Sequence, residues 1–352
     1  MTSRLARVLV AAILVLGTVA ISGLQKSAPA SDATARAVAA AEAFLATLSE
    51  TERAKALIDL NEKTRTVWSN LPTGATLQVG AKERNGLKLG VMSPAQEKAA
   101  LALLGAVLSA DGYTKAMEIV EADQVLENRA SRPPGAATRF GRAEYYFAVL
   151  GKPSRTTPWM MQFGGHHLAI NVTLAGGEHV LAPTHTGTQP ASYSVEGRLV
   201  RPLGEENDKV FALVNALTPE QQKQAVLGVA VRNLVLGPGA DGKTIAPEGV
   251  RASTFTPAQR DMLLGLVREW VDILGSEAAA AKMKEVQAGL GETWFAWAGA
   301  LENGKGAYFR VQGPALLIEY APQGQTDTAP DHIHTILRDP TNDYAARATA
   351  RP

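Results

Sequence analysis

The histidines of this 352-residue chain fall in two short segments that are far apart in the sequence. Four occur between residues 163 and 193, in FGGHHLAINVTLAGGEHVLAPTHTGTQPASY, and two occur in DHIHTILRDP near the C-terminus. They are His166, His167, His179, His185, His332 and His334. Neutral imidazole is the commonest metal ligand in proteins. We therefore expect the fold to bring the two segments together around a metal ion.

The C-terminal pair has the spacing of a chelating motif. On a strand, side chains two residues apart point to the same face and lie about 6.6 Å apart along the axis. His332 and His334 are therefore predicted metal ligands. His179, beside a predicted turn, is expected at the surface.

The N-terminal group is expected on a β-hairpin whose tip is Gly176-Gly177. Residues whose numbers sum to 353 then face each other, so that Leu168 opposes His185 and His166 lies diagonal to His185, within reach of one ion. His166 and His167 are neighbours on a strand and should point to opposite faces. One of them is a ligand candidate and the other a supporting residue, and the pattern does not choose between them.

Two charged residues in the C-terminal strands are the candidate catalytic groups. Glu319 interrupts the apolar run ALLIEYA, where an unpaired buried charge would be costly. It is predicted to be a ligand or a general base, and Arg338 to bind an anionic substrate or to orient the carboxylate. The alternative is that the two form a buried ion pair.

The composition limits the chemistry. The chain has no cysteine, so a metal would be held by nitrogen and oxygen ligands, as in many Zn, Cu or non-haem Fe sites. The motifs GxSxG, GxxxxGK[ST] and HExxH, and a GxGxxG preceding a helix, are missing, so the corresponding enzyme classes lack their essential parts. The formal net charge of +1 argues against nucleic acid as a partner.

The first thirty residues have the three-part pattern of a secretory signal peptide. Arg4 and Arg7 precede an apolar run from Val8 to Ile21, and small residues follow, ending at Ala30. We expect export to the periplasm or the medium with cleavage, which leaves no membrane span. An uncleaved anchor is the alternative, although a span takes about 20 apolar residues.

After the signal, residues 31–352 are predicted to form one α+β domain. The Ala-rich stretch 31–56 predicts a long helix that continues to Pro72, and SPAQEKAALALLGAVLS predicts another, with a break near Asp111-Gly112 and a further helix from Tyr113. Extended segments form two blocks, about 143–200 and 292–340, separated by a helical insert. One mixed, mostly antiparallel sheet surrounded by helices is the simplest arrangement.

Several stretches together resemble the uncharacterised family known as domain of unknown function 3500. They are LSETERAKALIDLNEKTRTVWSNLP, SPAQEKAALALLGAVLSADGYTKAMEI, YYFAVLGKPSRTTPWMMQFGGHHLAINVT, APTHTGTQPASY, WFAWAGALENGKGAYFRVQGPALLIEYAP and HIHTILRDPTNDY. The resemblance also places certain residues of this chain at the motif positions of the family. They are His166, His167, Asn171, His332, His334, Arg338 and Asp339. At one position where the family often has an aromatic residue, this chain has His185. The resemblance implies no activity.

These observations favour an exported metal-dependent enzyme acting on a small molecule, hydrolytic rather than oxidative, with metal-bound water as the nucleophile. Two alternatives remain open. The first is a periplasmic protein that binds a metal or ligand without turnover. The second is a structural role for the histidines.

Overall fold

The structure, a computed structural model, describes residues 32–75, 83–131, 139–324 and 328–349. The predicted signal peptide lies outside the described residues. The described helices are α1 (Asp32–Ala46), α2 (Glu50–Ala56), α3 (Pro94–Val107), α4 (Ala110–Arg129), α5 (Gly204–Ala216), α6 (Pro219–Ala225), α7 (Pro257–Val271), α8 (Ser276–Ala288) and α9 (Ala346–Thr349). The strands are β1 (Leu57–Ile58), β2 (Leu87–Lys88), β3 (Tyr146–Leu150), β4 (Trp159–Gly165), β5 (Leu168–Ala175), β6 (Glu178–Val180), β7 (Thr184–Thr188), β8 (Tyr193–Val195), β9 (Arg198–Val200), β10 (Val250–Arg251), β11 (Trp294–Gly299), β12 (Ala307–Gly313), β13 (Leu316–Pro322) and β14 (Ile333–Arg338).

One 12-stranded sheet contains most of both predicted strand blocks, and β8 and β9 at the end of the first block form a separate two-stranded sheet. Its order is β1-β3-β4-β5-β7-β14-β13-β12-β11-β10, with β2 beside β3 and β6 beside β5. The pairs are antiparallel except β1 with β3. The predicted α+β class with a mixed, mostly antiparallel sheet is confirmed. The two blocks meet where β7 pairs with β14, and these strands carry His185 and His334.

The longer helices pack on one face of this sheet. The ring of Phe44 in α1 lies 5.3 Å from that of Phe147, and Trp270 in α7 lies 6.1 Å from Phe309. The Trp270 indole also donates to the Thr335 hydroxyl at 2.9 Å. Because successive side chains alternate across a strand, the even-numbered residues of β14, including His334, point to the opposite face.

Three of the helices begin with the same arrangement of capping residues. Ser93, Thr218 and Thr256 each cap a helix that has proline in its first turn, and a glutamine three residues further on bonds back to the cap backbone. This capping box satisfies two otherwise unpaired amide groups at the start of the helix. It explains why the start of α3, predicted from SPAQE, agrees with the structure.

The predicted helix up to Pro72 is wrong. A capping box at Ser49 separates α1 from α2, and Leu57 and Ile58 then pair with β3 as a short parallel strand. Beyond it, the Asn61 side chain accepts hydrogen bonds from the amides of Lys63 and Thr64 at 2.9 and 3.1 Å. Such local bonds compete with the helical pattern and stabilise a turn instead.

The predicted break at Asp111-Gly112 is also misplaced. The break falls at Leu108-Ser109, because the Ser109 hydroxyl caps α4 by accepting from the Gly112 amide at 2.9 Å. In the part of the chain that the structure describes, none of the helices combines the length and apolarity that a membrane crossing requires.

Candidate metal centre

Three imidazole nitrogens meet at the junction of the two strand blocks. The Nε2 atom of His332 lies 2.8 Å from Nε2 of His167 and 3.0 Å from Nε2 of His334. His167 is buried, whereas His332 and His334 are partly exposed. The predicted convergence of the two histidine segments is therefore present in the fold, and one side of the cluster is open to solvent.

Hydrogen bonding alone does not account for this geometry. A ring nitrogen of neutral imidazole carries either one proton or one lone pair, so His332 Nε2 can form one N–H···N bond but not two. In the other close contact, the two nitrogens then face each other without a hydrogen bond between them. Two nitrogens bound to a tetrahedral zinc ion lie roughly 3.3 Å apart, so a small expansion of the cluster would fit a metal ion.

The turn between β4 and β5 presents His167 to this cluster. Gly165 pairs with Leu168, so His166 and His167 form the turn itself rather than part of a strand. The backbone of His167 has φ of 65°, a left-handed conformation that is uncommon outside glycine. The two rings stack with centroids 3.5 Å apart, so the prediction that they point to opposite faces is wrong.

His185 reaches the site through a register that differs from the prediction. Leu174 pairs with His179 as expected, but the ladder is interrupted before β7 and resumes with Ala169 opposite His185. This shift of one residue moves His185 to the face that carries His334. The two rings lie 5.1 Å apart.

The contacts of His185 fix its tautomer. Its Nδ1 donates to the His167 carbonyl at 3.2 Å, so its buried Nε2 carries a lone pair, and that atom has no hydrogen-bond partner among the described residues. His185 thus lies beside the three converging nitrogens without belonging to that group. His179 instead contacts the Thr34 hydroxyl at 2.9 Å and is partly buried rather than fully at the surface.

Burial favours the neutral form of the histidines in and beside the cluster. Burial lowers the pKa of His332 to about 4 and that of His185 to about 3. Burial, reinforced by the neighbouring imidazoles, holds the pKa of His167 and of His334 well below the ordinary value. Unprotonated rings have lone pairs available, which is the state that a metal ion requires.

Asp123 is a site residue that sequence reasoning missed. Its carboxylate is fully buried and accepts from His166 Nδ1 at 2.6 Å, while His167 Nδ1 lies 3.6 Å away. It belongs to the buried stripe of α4 with Ala116, Ile119 and Val120. An acidic residue among the apolar positions of a helix was the signal available in the sequence, since a buried charge needs a partner.

The two predicted catalytic residues lie outside the histidine cluster. The Glu319 carboxylate accepts from the amides of Val235 and Leu236 at 2.9 and 2.7 Å and from the Tyr308 hydroxyl at 2.7 Å. Arg338 donates to the carbonyls of Leu236 and Gly237 at 2.7 and 3.0 Å. Both charges therefore hold the same segment of the long α6–β10 connection.

The two residues are not paired with each other among the described residues. Arg338 forms ion pairs with Asp241 and Asp343 at 3.3 and 2.8 Å. The catalytic roles of Glu319 and Arg338 stay predictions, and their contacts provide a structural reason for both charges.

The fold and the site define an α+β protein whose buried histidine and aspartate groups are compatible with a metal ion. The chain belongs to the family described as Protein of unknown function (DUF3500), whose sequence model matches residues 30–346. This confirms the resemblance noted in the sequence. Comparisons with curated proteins and with solved structures found no match.

Proposed function

We propose that the protein is an exported metal-dependent enzyme, hydrolytic rather than oxidative, whose ion is bound by His167, His332 and His334. The observation that carries this proposal is the convergence of three Nε2 atoms at 2.8 and 3.0 Å. Nitrogen ligands suit Zn, Cu or Fe. An ion with three protein ligands and an open coordination position acts as a Lewis acid and lowers the pKa of a bound water molecule towards neutrality.

The surrounding residues prepare the cluster for this role. The partial exposure of His332 and His334 gives a small substrate access from one side. The buried Asp123 carboxylate stabilises positive charge on the far side of the His167 ring. Burial of His167 keeps water from that side, which strengthens electrostatic interactions within the site.

Elemental analysis of the purified chain tests the metal premise. We expect one or more transition-metal ions per wild-type chain and a clear loss of bound metal in His332→Ala. His179→Ala is the matched control, because it removes a histidine that lies outside the cluster. Far-UV circular dichroism of each variant verifies the fold. A wild-type chain that binds no transition metal after reconstitution would contradict the proposal.

Turnover is tested separately on the metal-loaded protein with panels of esters, phosphoesters and amides. We expect hydrolysis of one class that is abolished in His332→Ala and retained in His179→Ala. Export is tested by N-terminal sequencing of protein recovered from the cell envelope and the medium, with cleavage near Ala30 as the expected result.

The second candidate is a metal- or ligand-binding protein without turnover. It is favoured by the position of Glu319, whose carboxylate is occupied by two amides and a hydroxyl rather than directed at the cluster. Tight metal binding together with inactivity across all three substrate panels would support this candidate over the enzyme.

A further inference from the structure

A second set of metal-binding atoms lies on the other side of the His167 ring. It consists of one ligand atom each from Asp123, His166 and His167, all within 4.8 Å of one another and all from buried residues. His167 therefore belongs to two groups, through Nε2 to the cluster with His332 and His334, and through Nδ1 to the group with Asp123.

The Nδ1 atom of His167 lacks a hydrogen bond among the described residues. It lies 3.6 Å from Asp123 Oδ1, which is too long for a hydrogen bond. That oxygen already accepts from His166 Nδ1 at 2.6 Å, and Asp123 Oδ2 accepts from the Gly141 amide at 3.3 Å. A buried ring nitrogen is thus directed at an occupied carboxylate without being bonded to it.

The charge at this position is balanced by hydrogen bonds and histidines, without a lysine or arginine among the described residues. Asp123 is fully buried, and within the described ranges no lysine or arginine nitrogen lies within 4.0 Å of it, its charged contacts being the two histidines. A buried carboxylate needs a cation or several hydrogen bonds to remain ionised. A divalent ion between the three side chains would supply that charge.

We propose that the centre is dinuclear, with the His167 imidazole bridging two metal ions. The second ion is bound by His167 Nδ1, His166 Nδ1 and a carboxylate oxygen of Asp123. This proposal rests on the proposed metal function. Asp123 Oδ1 lies 2.6 Å from His166 Nδ1 and 3.6 Å from His167 Nδ1. These distances lie on either side of the separation of roughly 3.3 Å expected between two ligand atoms of a tetrahedral ion. An ion there would replace the hydrogen bond between His166 and Asp123.

The bridging role of the His167 imidazole determines how many protons are released when the second ion binds. With one ion on Nε2, the His167 ring keeps its proton on Nδ1. The second ion takes that position, and the proton passes to solvent. His166 keeps one proton by moving it from Nδ1 to Nε2. Filling the second position therefore releases one proton per chain from His167.

The metal content of the full chain tests the proposal. Protein stripped with a chelator is loaded with Zn²⁺, desalted and analysed for bound zinc, with circular dichroism to verify the fold. We expect two ions per wild-type chain and one in Asp123→Asn. Asp111→Asn is the matched control, because Asp111 lies exposed on the same helix, and it should bind two. His166→Ala, at the turn, gives a second test in case Asp123→Asn does not fold, and one ion is expected.

Electron paramagnetic resonance of the Cu²⁺-loaded protein provides an independent measurement. Two Cu²⁺ ions joined by one imidazolate couple magnetically, so the wild-type signal should be much weaker than the copper content predicts. His166→Ala, with one ion, should give the full signal.

The possible failures are distinguishable. One zinc ion in the wild type, unchanged in His166→Ala and lost in His332→Ala, would overturn the second position while leaving the first intact. Two ions in both His166→Ala and Asp123→Asn would also overturn it. No bound zinc in any form would overturn the proposed function as well.

Discussion

Gly187 illustrates how a residue without a side chain shapes the site. It pairs with His334 across the junction of β7 and β14. A Cβ atom at this position would lie 3.1 Å from Cδ2 of His334 and 3.2 Å from Cδ2 of His167, and 2.9 Å from the Ile333 carbonyl oxygen. Glycine here therefore allows the close approach of the two imidazole rings.

We predict that Gly187→Ala weakens metal binding, because the added methyl group displaces two ligand rings. A loss of affinity on the order of 10–100-fold is typical when the residues that orient metal ligands are disturbed. Isothermal titration with Zn²⁺ measures it. Gly265→Ala is the control, since a Cβ there meets nothing within 4 Å, and it should leave the affinity unchanged. Equal affinities in the two variants would show that the rings tolerate the methyl group.

At the scale of elements, the long connection between α6 and β10 is held to the sheet by buried charges. It covers the sheet face opposite the helices, where Glu319 and Arg338 bind the backbone of residues 235–237. Gln312 adds a bond to the Ile245 carbonyl at 2.8 Å. Beyond the bridge between Val226 and Trp297 at its start, side chains that bond to backbone groups thereby satisfy the polar groups of this connection.

We predict that Glu319→Gln loosens this connection and destabilises the fold by about 1–3 kcal/mol, because the amide retains one acceptor where the carboxylate had two. Hydrogen exchange at the Val235 and Leu236 amides should accelerate. Glu302→Gln, at an exposed position, is the control and should change neither quantity. Unchanged exchange accompanied by lost activity would instead favour the catalytic role predicted from the sequence.

The elements themselves were largely predictable, because their signals are local. Capping residues marked the starts of α3, α6 and α7, and alternating or apolar runs marked β11 to β14. The register of β7 was not predictable, since the interruption after β6 shifts the pairing by one residue and places His185 on the other face. The convergence of His167 with His332 could be predicted because both are histidines. The role of Asp123 could not be predicted without knowing which face of α4 is buried.

On the scale of the whole molecule, the candidate centre joins the two strand blocks. His167 and His332 are 165 residues apart in sequence, and β7 and β14 are the strands that unite the sheet. A metal ion bound here would hold together parts of the chain that are distant in the unfolded state. It should therefore bind the folded protein in strong preference to the unfolded chain.

We predict that metal removal lowers the free energy of unfolding. A ligand that binds only the folded state stabilises it by about 2.7 kcal/mol when its free concentration is 100 times its Kd. Urea denaturation with and without Zn²⁺, after treatment with a chelator, measures the difference. His179→Ala should behave as the wild type does, and zinc should stabilise His332→Ala less than the wild type. A zinc-independent midpoint in the wild type would show that no ion links the two blocks.

The placement of the two C-terminal histidines also sets an order of events during biosynthesis. His334 lies in β14 and His332 immediately precedes this strand, so the ribosome must pass residue 334 before all three proposed ligands are present. Binding of the proposed ion would consequently have to follow the synthesis of this segment. A chain that ends before residue 332 would lack two of the three ligands proposed for the first ion, however well its earlier strands had assembled.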